Sequence, residues 1–195
     1  TSIQVPTYTV TITESDNISS TADTNTFYCK DTANTCTPTT AIASGGTVSF
    51  TSANRGVNYL RYYSLDGVGN TQTTVSKTIN INRLPTFSAA NDNAPAIIKG
   101  GTTVTVTTTA SDADAGQTLS LRICKSAGLT GLACDDGAAD TYCSAVGFAS
   151  NPDCSWVSET DSTTHAWYAY IWDSANELAS ATPLDGTHTT DSQAP

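Results

Sequence analysis

Polar and apolar residues alternate in short stretches along the first half of the chain. Residues 8–13 read Tyr-Thr-Val-Thr-Ile-Thr, so an extended backbone places Tyr8, Val10 and Ile12 on one face and three threonines on the other. Alternation over about four to eight residues indicates a strand with one buried face. On this pattern we predict strands at residues 8–13, 27–29, 47–51, 58–64 and 75–81.

The second half shows the same pattern with more aromatic residues. Both faces of the segment 165–173 are apolar, with Tyr168 and Tyr170 on one face and Trp167 on the other. A strand that is apolar on both faces is typical of the centre of a sheet. We predict strands here at residues 102–108, 118–124, 155–157, 165–173 and 178–182.

Turn-forming residues separate these segments. Asp-Gly and Gly-Gly pairs, among them Asp185-Gly186, fall between the predicted strands, and spacings of about 8–12 residues are typical of β-sandwiches. The small and polar residues at 83–95 indicate a linker. We therefore predict an all-β chain of two β-sandwiches, residues 1–93 and 94–195. Ala-Pro pairs close each half 100 residues apart, at 94–95 and 194–195, so we interpret the chain as one period of a tandem array.

The composition favours strands over helices. The chain has 36 Thr and 21 Ser among 195 residues, and no Met. Thr is β-branched and fits a pleated sheet better than a helix. A polar chain with 13% charged residues is also compatible with disorder, but 8 Tyr, 3 Trp and 4 Phe supply a core, so we favour a folded protein.

The charge balance excludes one class of partner. With 8 Lys+Arg against 18 Asp+Glu, the net charge is −10. Binding of nucleic acid requires a basic surface that displaces counterions from phosphates, so no nucleic-acid partner is expected. No apolar run approaches the roughly 18 residues of a membrane span.

Six cysteines occur at short spacings. None forms a Cys-x-x-Cys pair and neither histidine is close in sequence to a cysteine pair, which argues against zinc. We predict the disulfides Cys29–Cys36, Cys124–Cys134 and Cys143–Cys154, although the last four cysteines allow three connectivities. Disulfides form in oxidising compartments, so we expect a secreted, extracellular or cell-surface protein.

Three segments resemble extracellular repeats of large microbial surface proteins. Residues 58–70 resemble the strand and Asp-x-x-Gly-Asn turn of bacterial immunoglobulin-like (Ig-like) repeats and of chitobiase C-terminal-type domains. Residues 110–119 are similar to the Asp-x-Asp-x-Gly-Gln segment of bacterial cadherin-like domains, and residues 91–95 to the cadherin linker, although the cadherin Asp-Arg-Glu segment is absent. The resemblance implies two tandem Ig-like, Greek-key sandwiches, the second cadherin-like.

Two acidic clusters suggest calcium. Calcium is bound by six to eight carboxylate, amide and carbonyl oxygens. We expect two clusters to converge at one pole of the second sandwich, with further ligands from the first; the alternative is that these residues only form turns, since Asp and Asn bond their own backbone. The candidates are Asn91, Asp92, Asn93, Asp112 and Asp114 in the second half, and Glu14, Asp16 and Asp66 in the first. We interpret Asp135, Asp136 and Asp140 as a solvated loop.

The sequence contains no known catalytic motif. There is no Gly-x-Ser-x-Gly, no His-Glu-x-x-His and no phosphate-binding loop, so we do not expect an enzyme. His165 opens the aromatic strand, whereas His188 falls in what we interpret as a Thr-rich terminal tail.

Two functions fit these features. We favour a structural repeat unit of an extracellular fibre, stalk or surface filament, a rigid spacer whose partners are other copies or neighbouring repeats. Strand donation between subunits is one route of assembly, with residues 7–13 as the donor, although an ordinary first strand is the simpler interpretation. The alternative is an adhesin or carbohydrate-binding module that presents the cysteine-rich loop 127–154 to a host or surface glycan, and that alternative expects an exposed aromatic patch.

Overall fold

Strands and turns make up almost all of the structure, a computed structural model that describes residues 3–15 and 25–193. This confirms the predicted all-β class. Contacts divide the chain into two units, Thr1–Arg83 and Leu84–Pro195. A single turn of 3₁₀ helix is present at Ser52–Asn54. Within the described ranges, no helix is long and apolar enough to cross a membrane.

The first unit contains seven described strands in two sheets. One sheet has the order β1-β7-β6-β3-β4, and the other consists of β2 and β5. Val10, Val48, Phe50 and Leu60 are among the residues of the core. The strands are β1 Ile3–Gln4, β2 Tyr8–Thr11, β3 Asn25–Asp31, β4 Thr40–Ile42, β5 Thr47–Phe50, β6 Gly56–Leu65 and β7 Val75–Ile81.

The second unit repeats this arrangement with additional elements. Its larger sheet has the order β14-β11-β16-β17-β9, its smaller sheet the order β15-β10-β8, and β12 pairs with β13. The strands are β8 Thr86–Asp92, β9 Ile97–Lys99, β10 Thr103–Ser111, β11 Leu119–Cys124, β12 Leu129–Thr130, β13 Ala133–Cys134, β14 Thr141–Phe148, β15 Cys154–Val157, β16 Thr164–Asp173 and β17 Leu184–Asp191.

The two units share one strand topology. In each unit a short early strand runs parallel to the last strand, β1 beside β7 and β9 beside β17. The last two strands of each unit form an antiparallel pair, β6–β7 or β16–β17. The strand that precedes the disulfide-closed loop, β3 or β11, pairs with the first member of that pair, β6 or β16. The remaining pair, β2–β5 or β10–β15, belongs to the other sheet. This Greek-key order is that of Ig-like sandwiches.

The boundary between the units lies ten residues before the predicted one, after Arg83 rather than after Asn93. Residues 86–92, predicted as part of a linker, form β8 and pair with β10 in the second unit. The chain then passes Pro95 and continues as β9 in the other sheet. Because proline has no backbone N–H to donate to a ladder, Pro95 suits this crossing between sheets, and its flanking small residues imitate a linker.

The end of the second unit also differs from the prediction. The last strand is β17, Leu184–Asp191, whereas the predicted strand at residues 178–182 is irregular. The Asp185-Gly186 pair, predicted as a turn, lies inside β17. A Cβ atom at position 186 would clash with the Trp167 side chain, so this glycine allows close packing rather than a turn. The Ala-Pro pair at residues 194–195, which we interpreted as the end of one period of a tandem array, lies outside the described residues.

A turn with one hydrogen-bond pattern follows β6 and β16. Asp66 Oδ1 accepts hydrogen bonds from the backbone N–H groups two and four residues later, and Asp173 Oδ1 does the same. The fourth residue of each turn, Gly69 or Asn176, has a positive φ. An isolated bridge closes each turn, Leu65 to Thr71 and Trp172 to Leu178. The sequence resemblance identified the first of these turns and missed the second.

The disulfides join the three predicted pairs of cysteines. Cys29 in β3 and Cys124 in β11 occupy corresponding strands, and each closes the loop that follows its strand. Cys143 in β14 and Cys154 in β15 link the two sheets of the second unit. The first two disulfides therefore fix loops, and the third fixes the sandwich.

Candidate functional sites

The five residues of the predicted calcium site in the second unit lie in two separate places. Asp92 is the register partner of Val106, the fourth residue of β10, whereas Asp112 follows the end of that strand, six residues beyond Val106. At roughly 3.4 Å per residue, this places the two clusters about 20 Å apart. The predicted convergence on one ion is therefore wrong, because the presumed linker is a strand antiparallel to β10.

The residues of the first cluster are bonded within the sandwich. Asp92 Oδ2 accepts a hydrogen bond of 2.7 Å from Trp167 Nε1, and Asp92 Oδ1 accepts one from Ala94 N–H. Asn93 exchanges bonds with Thr105, accepting at Oδ1 and donating its own N–H. These hydrogen bonds attach the end of β8 to β10. They also provide an acceptor for the indole N–H of Trp167, which is buried.

The second cluster forms a turn, as the alternative interpretation expects. Asp112 Oδ1 accepts a hydrogen bond of 2.6 Å from Asp114 N–H, and Gly116 adopts the positive φ that the turn requires. Asp114 is 4% exposed. In the first unit, Glu14 and Asp66 line one cavity, and Asp16 lies outside the described residues.

The acidic loop of the second unit is exposed at Asp135 and Asp136, as expected for a solvated loop, and packed only at Asp140. Asp140 is buried, and its Oδ2 accepts a hydrogen bond from Ser126 Oγ. Its carboxylate lies close to the sulfurs of Cys124 and Cys134, but disulfide sulfurs provide no thiolate for a metal ion. The loop is also held by Tyr170, whose hydroxyl accepts a hydrogen bond from Gly128 N–H.

The outer edge of β2 has no neighbouring strand among the described residues. On its inner edge β2 pairs with β5, and the pairing extends to Ile12, which donates its N–H to the Gly46 carbonyl at 2.9 Å. Antiparallel partners exchange hydrogen bonds at every second residue, so the backbone groups of Thr9, Thr11 and Thr13 point away from β5.

A groove follows this open edge. One cavity of about 120 Å³ is lined by residues 10–13 together with Tyr62 and Lys77. A second cavity of about 500 Å³ continues along residues 12–15. In the second unit the corresponding edge, that of β10, is occupied by β8, whose Phe87 packs against the core. Within the described part of the first unit, outward-facing backbone groups and a groove therefore take the place that a strand has in the second unit.

The two histidines of the chain lie side by side on neighbouring strands. His165 in β16 is the register partner of His188 in β17, and their ring centroids are 5.6 Å apart. Glu159, in the connection before β16, places its Oε2 3.9 Å from His165 Nδ1 and 3.9 Å from His188 Nε2. We call Glu159, His165 and His188 the histidine–glutamate cluster.

Several polar atoms of this cluster are buried and unsatisfied. His188 is 1% exposed, and among the described residues neither of its ring nitrogens has a hydrogen-bond partner. The same holds for Glu159 Oε2. Burial lowers the pKa of His188, although the Glu159 carboxylate opposes this, so its imidazole is neutral at neutral pH. The terminal tail that we predicted around His188 is instead the core strand β17.

Asp161 orients the other histidine. Its Oδ1 accepts a hydrogen bond of 2.7 Å from His165 Nε2 and bonds of 2.9 Å from the hydroxyls of Thr163 and Thr190. The hydrogen bond from His165 lowers the pKa of Asp161 to about 2. A carboxylate accepts only from a protonated nitrogen, so neutral His165 carries its proton on Nε2 and a lone pair on Nδ1.

Two aromatic residues border the cluster. Trp156 lies 6.0 Å from the His188 ring, and Tyr142 stacks on Trp156 at 4.6 Å. Burial, together with the Glu159 carboxylate, raises the pKa of Tyr142. The sequence prediction missed this cluster, because Glu159 and Asp161 belong to an irregular polar stretch. The signal in the sequence that could have revealed the strand carrying His188 is the alternation of Leu184, Gly186, His188 and Thr190 with the polar residues between them.

Exposed aromatic side chains are scarce. Among the described large apolar residues that are exposed, Phe148 is the one aromatic, at 36%, and the others are aliphatic. The adhesin alternative expected an aromatic patch on which sugars would stack, so this surface gives a glycan partner no support.

Comparisons with known proteins find similarity only at the level of structure. The chain is similar to the fibronectin(III)-like modules of Clostridium thermocellum CbhA, with 14% identity, a TM-score of 0.37, and coverage of 95% of this chain and 87% of that one. It is similar to chicken VE-cadherin EC1-2, with 13% identity, a TM-score of 0.40 and coverage of 92% and 89%. It is also similar to the D00-D0 domain of intimin, with 12% identity, a TM-score of 0.34, and coverage of 84% of this chain and 78% of that one. No family model and no curated protein matches the sequence.

Proposed function

We propose that the chain is a structural repeat unit of an extracellular fibre, stalk or surface filament, and that its first unit accepts an extended strand from a neighbouring copy or repeat. The observation that carries this proposal is the open edge of β2 with its groove. Three disulfides are consistent with an oxidising, extracellular location.

The second unit indicates what such a strand would be like. β8 pairs with β10 through its backbone and places Phe87 against the core. An incoming strand at β2 would bond to Thr9, Thr11 and Thr13 and fill the groove beside Tyr62 with an apolar side chain. Backbone hydrogen bonds provide affinity in such strand addition, and side-chain pockets provide specificity. The donated strand is therefore extended, low in charge and apolar at alternate positions.

The same geometry reverses the donor predicted from sequence. Residues 8–11 form β2 and pair with β5 in their own unit. The segment suspected of being donated is thus an ordinary strand of its own sandwich, which was the simpler interpretation. Its outer edge is what we propose as the acceptor.

A peptide with the sequence of residues 84–93 tests this proposal. Titrated into the full chain, it should bind one site and shift the NMR amide signals of Thr9, Thr11 and Thr13. Replacing Phe87 by Asp in the peptide should weaken binding at least tenfold, because a charge would enter the groove.

Two proline variants provide matched controls. Thr11→Pro removes an outward N–H from β2 and should abolish binding. Thr47→Pro alters the register partner of Thr11, on the far edge of β5, and should leave binding unchanged. Peptide binding that survives Thr11→Pro, or no binding at all, would contradict strand addition. In velocity sedimentation, self-association of the full chain should also depend on Thr11 and not on Thr47.

A further inference from the structure

Arg122 lies on the outer face of the larger sheet of the second unit. Its neighbours in β11, Leu121 and Ile123, are fully buried in the core, so the alternation of the strand directs Arg122 away from the core. On that face, Arg122 Nη1 donates a hydrogen bond to the Leu132 carbonyl, which belongs to the disulfide-closed loop that follows β11. The guanidinium therefore lies between the sheet and this loop.

The guanidinium is held in place without a counter-ion. Its Cζ lies 5.3 Å from the centroid of the Trp172 ring, and Trp172 is 7% exposed. Among the described residues, the Leu132 carbonyl is its one hydrogen-bond acceptor, its Nε is buried without a partner, and no carboxylate forms an ion pair with it. Arginine has five N–H donors, so most of the hydrogen-bonding capacity of Arg122 remains unused.

A cavity of about 370 Å³ opens beside this side chain. Thr141 donates its hydroxyl proton to the Gly137 carbonyl at 2.7 Å, which leaves the Ser144 hydroxyl as a second donor beside Arg122. None of the described lining residues is acidic, although the chain as a whole has a net charge of −10. The lining consists of one cation, two hydroxyls and three small residues: Arg122, Thr141, Ser144, Ala133, Gly137 and Ala138.

From these observations we propose that the cavity beside Arg122 binds a carboxylate group. The planar guanidinium presents N–H donors in a fork that matches the two oxygens of a carboxylate. Ser144 is the register partner of Arg122 on β14 and can add a third hydrogen bond. One cation balances the single charge of a carboxylate, whereas a phosphate would add uncompensated negative charge to an acidic chain.

The wall of this site is fixed before any ligand binds. The Cys124–Cys134 disulfide closes the loop, and the Tyr170 hydroxyl accepts a hydrogen bond of 2.8 Å from Gly128 N–H within it. A preformed site gives up little conformational entropy on binding. The site belongs to the second unit, so it does not depend on the strand that we propose for β2 in the first.

Two sources could supply the carboxylate. One is a small carboxylic acid in solution. The other is an acidic side chain of a neighbouring copy, since each chain has 18 Asp and Glu against 8 Lys and Arg. The chemistry that Arg122 would recognise is the same in both cases, and the source can be separated by experiment.

Titration of the full chain with sodium acetate, followed by NMR at low salt, tests the site. The backbone amide signals of Ala133 and Ser144 should shift and saturate. Arg122→Gln should weaken acetate binding at least ~tenfold, because it removes the charge and the fork. Arg122→Lys keeps the charge but loses the planar donors, so its binding should fall between that of Arg122→Gln and that of the parent.

Arg61 provides a matched control in the first unit. Arg61 Nη1 also donates to a carbonyl of a disulfide-closed loop, that of Cys36 at 2.7 Å, but Arg61 does not line the cavity. Arg61→Gln removes the same charge and should bind acetate like the parent. The proposal is overturned if acetate in large excess causes no saturable shift of Ser144, or if the shift is the same in an Arg122→Gln protein whose circular dichroism shows that it is folded.

Velocity sedimentation then identifies the source of the carboxylate. The Thr11→Pro background removes the contribution of strand addition at β2. If a neighbouring copy supplies the group, self-association in this background should weaken with Arg122→Gln and with added acetate. If self-association does not depend on Arg122 while acetate still binds, the ligand is a small carboxylic acid.

Discussion

Two aspartates, Asp66 and Asp173, hold the turns that follow β6 and β16. Each carboxylate accepts backbone N–H groups two and four residues later, so each turn closes within a few residues. The Asn70 side chain also donates to Asp66 Oδ2, at 2.6 Å. This bond, with backbone N–H groups of the turn, lowers the pKa of Asp66. The carboxylate charge therefore stabilises the folded first unit.

The effect of Asp66 should depend on pH. Because the folded-state pKa is depressed, the stabilisation is complete well above the ordinary value of 3.8 and is lost as the pH falls through the lower folded-state pKa. We expect Asp66→Asn to lower the melting temperature of the first unit by a few degrees at pH 7. Calorimetry between pH 2 and pH 7 should show the two proteins converging at the acid end. Asp136→Asn, at an exposed site of the second unit, should leave the first unit's melting temperature unchanged.

At the scale of elements, the disulfides have different tasks. Cys29–Cys36 and Cys124–Cys134 each close the loop after a strand, whereas Cys143–Cys154 joins β14 to β15 across the two sheets. The last bond also adjoins the stacked pair of Tyr142 and Trp156. Its loss would affect the association of the sheets as well as one connection.

Removal of the bond between the sheets should destabilise the second unit. We expect the double variant Cys143→Ala, Cys154→Ala to lose about 2–4 kcal/mol of unfolding free energy, because the unfolded chain regains the freedom of the closed loop. Denaturant unfolding followed by circular dichroism measures this change. The matched double variant Cys29→Ala, Cys36→Ala should destabilise the first unit instead. If both variants destabilise the same unit, the assignment of the disulfides to separate bodies is incorrect.

Strands with alternating β-branched or aromatic residues could be predicted from sequence, and those without them could not. The observed β7 coincides with the predicted segment 75–81, and β16 differs from its prediction by one residue. β8 has the sequence Thr-Phe-Ser-Ala-Ala-Asn-Asp and β17 the sequence Leu-Asp-Gly-Thr-His-Thr-Thr-Asp. The small and polar residues of such strands are also typical of turns. Whether they are buried in a sheet depends on partner strands that are distant in sequence.

The candidate sites show the same limit. Disulfide pairs followed from short spacings, because loop closure within about ten residues is local. The open edge of β2 became evident only when the sheets of the two units were compared. The histidine–glutamate cluster joins side chains from 159 to 188 through strand register, which one sequence does not specify.

At the scale of the whole chain, the position of β8 determines where the protein can be divided. Contacts place Leu84 and the residues after it in the second unit. A division after residue 93, as the composition suggested, would remove β8 from its sheet and leave Trp167 Nε1 without Asp92. A second unit without β8 would have an open edge like that of the first.

Two fragments test this boundary. We expect residues 84–195 to fold alone with a cooperative thermal transition, whereas residues 94–195 should melt at least ~10 °C lower, since they lose a strand and leave a buried donor unpaired. Adding the 84–93 peptide in trans should restore part of the difference. Equal stability of the two fragments would place β8 outside the cooperative core.

The distribution of tryptophans has a practical consequence. Trp156, Trp167 and Trp172 all belong to the second unit, whereas the aromatic residues of the first are Tyr and Phe. Indole fluorescence excited at the red edge therefore reports on one body of the pair and is blind to the other. The protein carries its own optical label, with which the unfolding of the second unit alone can be followed in the intact chain.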